Sequence, residues 1–114
     1  MTMTVRDALA RIAATEPTVN AFTAVLAERA LGHAPVDGPL AGVPFAVKNL
    51  FDIEGLTTLA GSKIERDAAP AKRDAALVRR LEASGAVLVG ALNMDEYAYG
   101  FTTENAHYGP TRNP

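Results

Sequence analysis

No cysteine occurs among these 114 residues, which excludes a disulfide framework and any thiolate metal site. An excess of one charge is missing too: 11 Lys and Arg face 13 Asp and Glu, for a net charge of −2 and a pI near 5.6. That balance leaves no electrostatic footprint for nucleic acid or an anionic membrane surface, so neither partner is expected. No apolar run approaches the roughly 18 residues of a membrane span. The start, Met1-Thr2-Met3-Thr4-Val5-Arg6-Asp7, lacks a basic segment followed by an apolar one. It does not read as a signal peptide, and the cytoplasm is the expected compartment. Phosphate loops of the Gly-x-Gly-x-x-Gly or Gly-Lys-Ser/Thr type are absent, and neither Ser62 nor Ser84, the only serines, lies in a nucleophile elbow. His33 and His107 stand far apart without further ligands at metal spacing, so no metal site and no cofactor are expected.

What is present suits one small α/β domain with a modest core: 48% hydrophobic residues, 21% charged residues and 9 glycines. Val5, Ala8, Leu9 and Ile12 recur at helical spacing, with Thr4 and Asp7 placed for a capping box. Glu16-Pro17 is expected to end that helix, because the residue before proline avoids the helical region. Phe22, Thr23 and Val25 favour a short strand, and Ala24 to Leu31 reads as a helix stopped by Gly32. Residues 33–42 and 65–73 read as loops, the second solvated with alternating charges.

The organising stretch is Gly38-Pro39-Leu40-Ala41-Gly42-Val43-Pro44-Phe45-Ala46-Val47-Lys48-Asn49. Val43 to Val47 is too short for a helix and is bounded by turn residues, so a buried strand is expected, with Pro44 near its start or on an edge. Lys48 ends the run. Its amine either caps the strand in solvent or lies in a polar pocket, where desolvation would favour the neutral form and make it a general base. Asp74 is expected to cap a helix over Ala75 to Ser84, with Leu77, Val78 and Leu81 facing the core and Gly85 at its end. Ala86-Val87-Leu88-Val89-Gly90 then reads as a buried parallel strand. Helix, glycine and strand make half a βαβ unit, and ligands of parallel sheets gather beyond the carboxyl ends of the strands, where both Lys48 and the residues after Gly90 fall.

Gly61-Ser62 could bring backbone close to a ligand. Residues 91–109 hold three tyrosines, a phenylalanine and the adjacent pair Asp95-Glu96. That is the makeup of a pocket wall, although the alternating Tyr97, Tyr99 and Phe101 equally suit a core or subunit contact. Asp95 and Glu96, on what reads as the first turn of a helix, would diverge by about 100° and not share a substrate. The turn-prone Thr111-Arg112-Asn113-Pro114 is not a packed element, and the chain reads as cut short.

The segment from Gly38 to Asn49 carries a family resemblance, together with Gly85-Ala86-Val87-Leu88-Val89-Gly90, Asn93-Met94-Asp95-Glu96-Tyr97-Ala98-Tyr99-Gly100, Thr103-Glu104-Asn105 and Gly109-Pro110-Thr111-Arg112-Asn113-Pro114. From residue 38 onward, in order and at family spacing, the chain resembles the N-terminal portion of the amidase signature family. Within that family it looks most like the carboxybiuret-hydrolysing branch of s-triazine breakdown, and next most like the glutamine-hydrolysing subunits of tRNA-dependent amidotransferases.

The resemblance implies an α/β/α domain on a mixed, largely parallel sheet, with residues 1–114 as the N-terminal portion of a single domain. It implies a Ser–cis-Ser–Lys triad in which Lys48 matches the lysine, with Tyr97, Tyr99 and Gly100 near the substrate. The substrate would be a small carbamoyl or urea-like amide, with no cofactor. Both a homodimer and a small non-catalytic partner subunit fit it. Both family serines and the oxyanion loop follow the Asn-Pro that ends this chain, so these residues alone are expected not to hydrolyse an amide. A rival from another class is a non-catalytic truncated module.

Overall fold

Residues 3–114 are described in the computed structural model of the chain. The leader reading of residues 1–7 rests partly on Met1 and Thr2, which lie outside them. Helix α1 spans Val5–Val19, and its start is the expected capping box: Thr4 Oγ1 accepts the Asp7 amide at 3.1 Å and Asp7 Oδ2 accepts the Thr4 amide at 3.3 Å. Its end differs from expectation, because the helix runs through Pro17. Asn20 closes it in a left-handed conformation, its amide bonding to the Glu16 carbonyl at 2.9 Å. The Glu16 carboxylate takes the next two amides, Ala21 at 2.5 Å and Phe22 at 2.7 Å. These bonds hold a turn that proline alone would have ended.

Strand β1 (Phe22–Val25) follows, then the short helix α2 (Ala27–Gly32), which starts later than its apolar pattern suggests because Ala24 and Val25 are used by the strand. Strand β2 is Pro44–Lys48, α3 is Ala76–Ala83, and β3 is Val87–Leu92. Among the described residues the main sheet has the order β1-β3-β2, with β2 parallel and β1 antiparallel to β3. The sheet is therefore mixed, and Pro44 opens an edge strand that tolerates its missing N–H. The continuous apolar run of β3 is explained by its central place: Val87 to Ala91 are all buried.

Helices cover both faces. On one, Val47, Ile53, Leu88 and Ala91 pack with Val78 of α3; on the other, Val87 and Val89 pack with Ala30 of α2 and with Val5, Leu9 and Ile12 of α1. Each fully buried aliphatic side chain contributes about 1.5–3 kcal/mol. The α3 stripe is rotated from expectation: Val78 is fully buried, whereas Leu77 is 44% exposed. Asp74, contrary to expectation, does not cap α3. It pairs with Arg29 of α2 and accepts the Glu54 amide instead, leaving Ala75 as an unassisted N-cap. Gly85 has φ +101, and a Cβ there would sit 2.6 Å from Ala41 Cα, so the turn from α3 into β3 admits only glycine. A two-stranded ladder, β4 (Glu104–Asn105) with β5 (Gly109–Pro110), lies in the segment after β3 and has no counterpart in the sequence reading.

Candidate functional site

Lys48 closes β2 opposite Leu92 of β3, so both strands deliver their following residues to the same end of the sheet. The chain turns at once, with the Phe51 amide on the Lys48 carbonyl at 3.1 Å. Lys48 faces a cavity of about 90 Å³ whose other walls include Asp95, Gly100, Phe101, Thr102 and Thr103. The sequence reading brought Lys48 and the aromatic segment together, and the fold does so. It does not supply the dry niche: Lys48 is exposed. An edge strand ends here against a wall of small loop residues, and nothing among the described residues covers the amine. Nor does any Asp or Glu among them form an ion pair with it. That cavity is well below the about 300–1,000 Å³ of a complete small-molecule pocket.

The loop facing Lys48 departs from expectation. Asp95 and Glu96 do not begin an α-helix; Glu96–Ala98 is a single 3-10 turn in which Tyr97 and Ala98 both have positive φ, +52 and +61. Two successive left-handed non-glycine residues are costly and persist only where neighbours enforce them. The Tyr97 amide is held on the Ala60 carbonyl at 2.7 Å, and the Tyr97 hydroxyl donates to Glu65 Oε1 at 2.9 Å. The backbone turn throws the rings outward: Tyr97 is half-exposed, and Tyr99 and Phe101 are 94% and 108% exposed. None of the three is core, and of them only Phe101 borders the Lys48 cavity. Of the three residues singled out beside Lys48, Gly100 lines its cavity, whereas Tyr97 and Tyr99 do not. Gly100 packs on Asp95, where an added Cβ would lie 2.8 Å from the carboxyl carbon, and Asp95 Oδ1 accepts the Glu104 amide at 3.2 Å. On the Tyr97 phenol, Ser62 acts to lower the pKa, but the Glu65 hydrogen bond and the charges of Glu65 and Glu96 outweigh it and the net shift is upward.

Gly61 and Ser62 are buried rather than open to a ligand; with Gly61 at φ +73, a Cβ would lie 2.9 Å from the Met94 carbonyl oxygen. His33 and His107 belong to separate places, each beside one carboxylate: His33 with Glu82 at 2.9 Å and His107 with Glu96 at 2.7 Å.

Three buried asparagines went unread in the sequence. Asn105 Nδ2 donates to the Gly61 and Met94 carbonyls at 2.6 and 2.9 Å, while its Oδ1 accepts the His107 and Tyr108 amides. Asn93 Nδ2 donates to the Gly109 carbonyl at 2.9 Å, so together the two side chains bracket the segment after β3. Asn49, next to Lys48, is the third. Only Asn93 carries a sequence signal, a polar amide set immediately after an apolar run; Asn49 follows Lys48 and Asn105 follows Glu104.

This mixed sheet flanked by helices belongs to an amidase: the family profile described as Amidase matches residues 3–114, and the chain belongs to that family. Among particular relatives, AtzE, the 1-carboxybiuret hydrolase subunit of Pseudomonas sp. (strain ADP), is 63% identical over 95% of this chain and 26% of its own length. A glutamyl-tRNA(Gln) amidotransferase subunit of Acidothermus cellulolyticus is 46% identical over 96% of this chain and 23% of its own. A solved s-triazine catabolic enzyme in an inhibitor-bound complex, described as a vestigial protein complex, superposes with a TM-score of 0.89 at 61% identity, covering 96% of this chain and 26% of that one. The chain thus spans about a quarter of the length of the relatives it matches.

Proposed function

We propose that residues 1–114 are the N-terminal portion of a single amidase domain whose whole protein hydrolyses a small carbamoyl or urea-like amide such as 1-carboxybiuret. Lys48 carries the reading. Its amine stands without an acidic partner at the carboxyl end of β2, facing a cavity too small to be a complete site. In this reading Lys48 is the base of a Ser–cis-Ser–Lys triad. It accepts a proton, through the bridging serine, from the nucleophilic serine, which adds to the amide carbonyl. Ammonia or an amine leaves, and water then resolves the acyl-enzyme. Both serines and the oxyanion donors come from polypeptide outside these residues.

Gly100 lines the substrate space beside the lysine, and Tyr97 and Tyr99 act as substrate-near rings once a second wall closes on them. No cofactor takes part. The protein partners this reading admits, in the cytoplasm, are a second copy of the chain and a small non-catalytic subunit. No helix among the described residues is long and apolar enough to cross a membrane.

The substrate class rests on the 63% identity to the 1-carboxybiuret hydrolase subunit, compared with 46% to the amidotransferase one. That second similarity supports a second reading, a glutaminase subunit of a tRNA-dependent amidotransferase. Ammonia release by the purified full-length protein from 1-carboxybiuret and from L-glutamine separates them. Turnover of 1-carboxybiuret is expected; a preference for glutamine would favour the second reading, and turnover of no linear amide would overturn both. Residues 1–114 alone, without the two serines and the oxyanion loop of this reading, are expected to show no turnover.

A further inference from the structure

Asn49 follows Lys48 directly and is 1% exposed, yet four hydrogen bonds radiate from it. Its Nδ2 donates to Thr23 Oγ1 at 2.7 Å, and its Oδ1 accepts the Leu59 amide at 3.2 Å. Its backbone N–H donates to the Leu92 carbonyl at 3.0 Å, and its carbonyl accepts the Ala60 amide at 2.8 Å. The peptide after the lysine is thus tied to β1, to β3 and to the 59–60 turn.

Two of those anchors are irregular. Thr23 falls where the register of β1 on β3 slips by one residue, between Phe22 opposite Leu92 and Ala24 opposite Ala91. Such a bulge re-aims a side chain, and here it sets the Thr23 hydroxyl against Asn49. Ala60 has φ +49, and its carbonyl accepts the Tyr97 amide at 2.7 Å. Two backbone hydrogen bonds, Ala60 N–H to Asn49 C=O and Tyr97 N–H to Ala60 C=O, therefore connect the lysine's neighbour to the loop across the cavity. Ala60 and Tyr97, two non-glycine residues of that link held in left-handed conformations, need a surrounding that over-determines them.

We propose that Asn49 is a positioning residue: its buried amide, seated on the Thr23 bulge, fixes the peptide from which Lys48 projects and, through Ala60, the Tyr97 loop that faces it. Amine and facing wall are then held in one register. The assignment rests on the hydrolytic reading of Lys48. Proton transfer requires hydrogen-bond reach, and a misplacement of about 1 Å costs about 10²-fold in rate.

The test uses the full-length protein and four variants, each assayed well below its unfolding temperature. Asn49→Ala is expected to lower kcat about 10²-fold with KM little changed. Asn49→Asp restores most of that loss, because carboxylate oxygens accept from both the Thr23 hydroxyl and the Leu59 amide. Thr23→Val, which removes only the hydroxyl, shows a smaller loss in the same direction. Val78→Ala, a core truncation beneath Val47 that removes none of the link's hydrogen bonds, lowers thermal stability and leaves kcat largely in place. Independently of turnover, reductive ¹³C-methylation gives Lys48 an NMR signal, assigned by its loss in Lys48→Arg. That signal is expected to shift and broaden in Asn49→Ala and to return in Asn49→Asp.

Equal kcat losses in Asn49→Ala and Val78→Ala, or an unchanged Lys48 signal in Asn49→Ala, would overturn the proposal. Should Asn49→Ala not fold, Thr23→Val decides, and an unchanged kcat together with an unchanged signal would overturn it. A protein without amidase activity whose Lys48 signal still answers to Asn49 would overturn the hydrolytic reading while supporting the positioning role.

Discussion

Arg29 is the side chain that ties the helices of the two layers together, and its removal has a calculable cost. Its Nη1 donates to Asp74 Oδ1 at 2.9 Å and its Nη2 to Asp74 Oδ2 at 2.8 Å, with a further bond from Nη2 to Glu82. Asp74 Oδ1 also accepts the Glu54 amide at 2.8 Å. The pair is bidentate, and its side chains keep only 26% and 15% of their exposure. Exposed pairs contribute about 0–1 kcal/mol, and breaking a buried pair costs about 3–5 kcal/mol. At intermediate exposure, Arg29→Ala should cost about 2 kcal/mol. If opening is local, that corresponds to roughly thirtyfold faster hydrogen exchange at the Glu54 amide of the full-length chain.

The effect depends on pH with a definite sign. The Arg29 hydrogen bond is the main cause that holds the Asp74 carboxyl below its ordinary value. A carboxylate depressed in the folded state stabilises fully above its unfolded pKa, about 3.9, and loses that contribution as pH falls through the folded value. The Arg29→Ala deficit should therefore be complete at pH 7 and shrink below about pH 4. Exchange unchanged at pH 7, or a deficit undiminished at pH 3 after correction for intrinsic rates, would refute the reasoning.

Two other perturbations read single features of the fold. Thr4→Ala removes the cap of α1 and should cost about 1 kcal/mol, seen as faster exchange of the amides in its first turn; unchanged protection would contradict the capping box. Gly85→Ala forces a Cβ to within 2.6 Å of Ala41 Cα at φ +101, and a loss of more than about 1–3 kcal/mol is expected from strain plus the clash. Denaturant unfolding that matches wild type would mean the turn is softer than it looks.

The sheet strands and α1 were legible because their signals are local: an apolar run bounded by turn residues, and a capping box ahead of a helical stripe. What was not legible depended on partners distant in sequence. Nothing around Pro17 announces that Glu16 will take the amides of residues 21 and 22 and carry the helix onward. Nothing around Asp74 says that it will prefer Arg29, 45 residues away, to the amides of its own helix. The site divided in the same way. Lys48 could be placed because strand ends gather ligand-facing residues, and the Tyr97–Gly100 loop because it follows the neighbouring strand. Its left-handed turn and outward rings were hidden, since the Tyr97 amide is held by the carbonyl of Ala60, far earlier in the chain. The exposure of Lys48 goes with the edge place of β2 among the described residues, which Pro44 already suggested.

The most direct test of the account is the rate of ammonia release from 1-carboxybiuret by the full-length protein carrying Lys48→Met. A base removed from its site should lower kcat by at least about 10²–10⁴-fold while the protein remains folded. A Lys48→Met protein that turns over the substrate at the wild-type rate would contradict it.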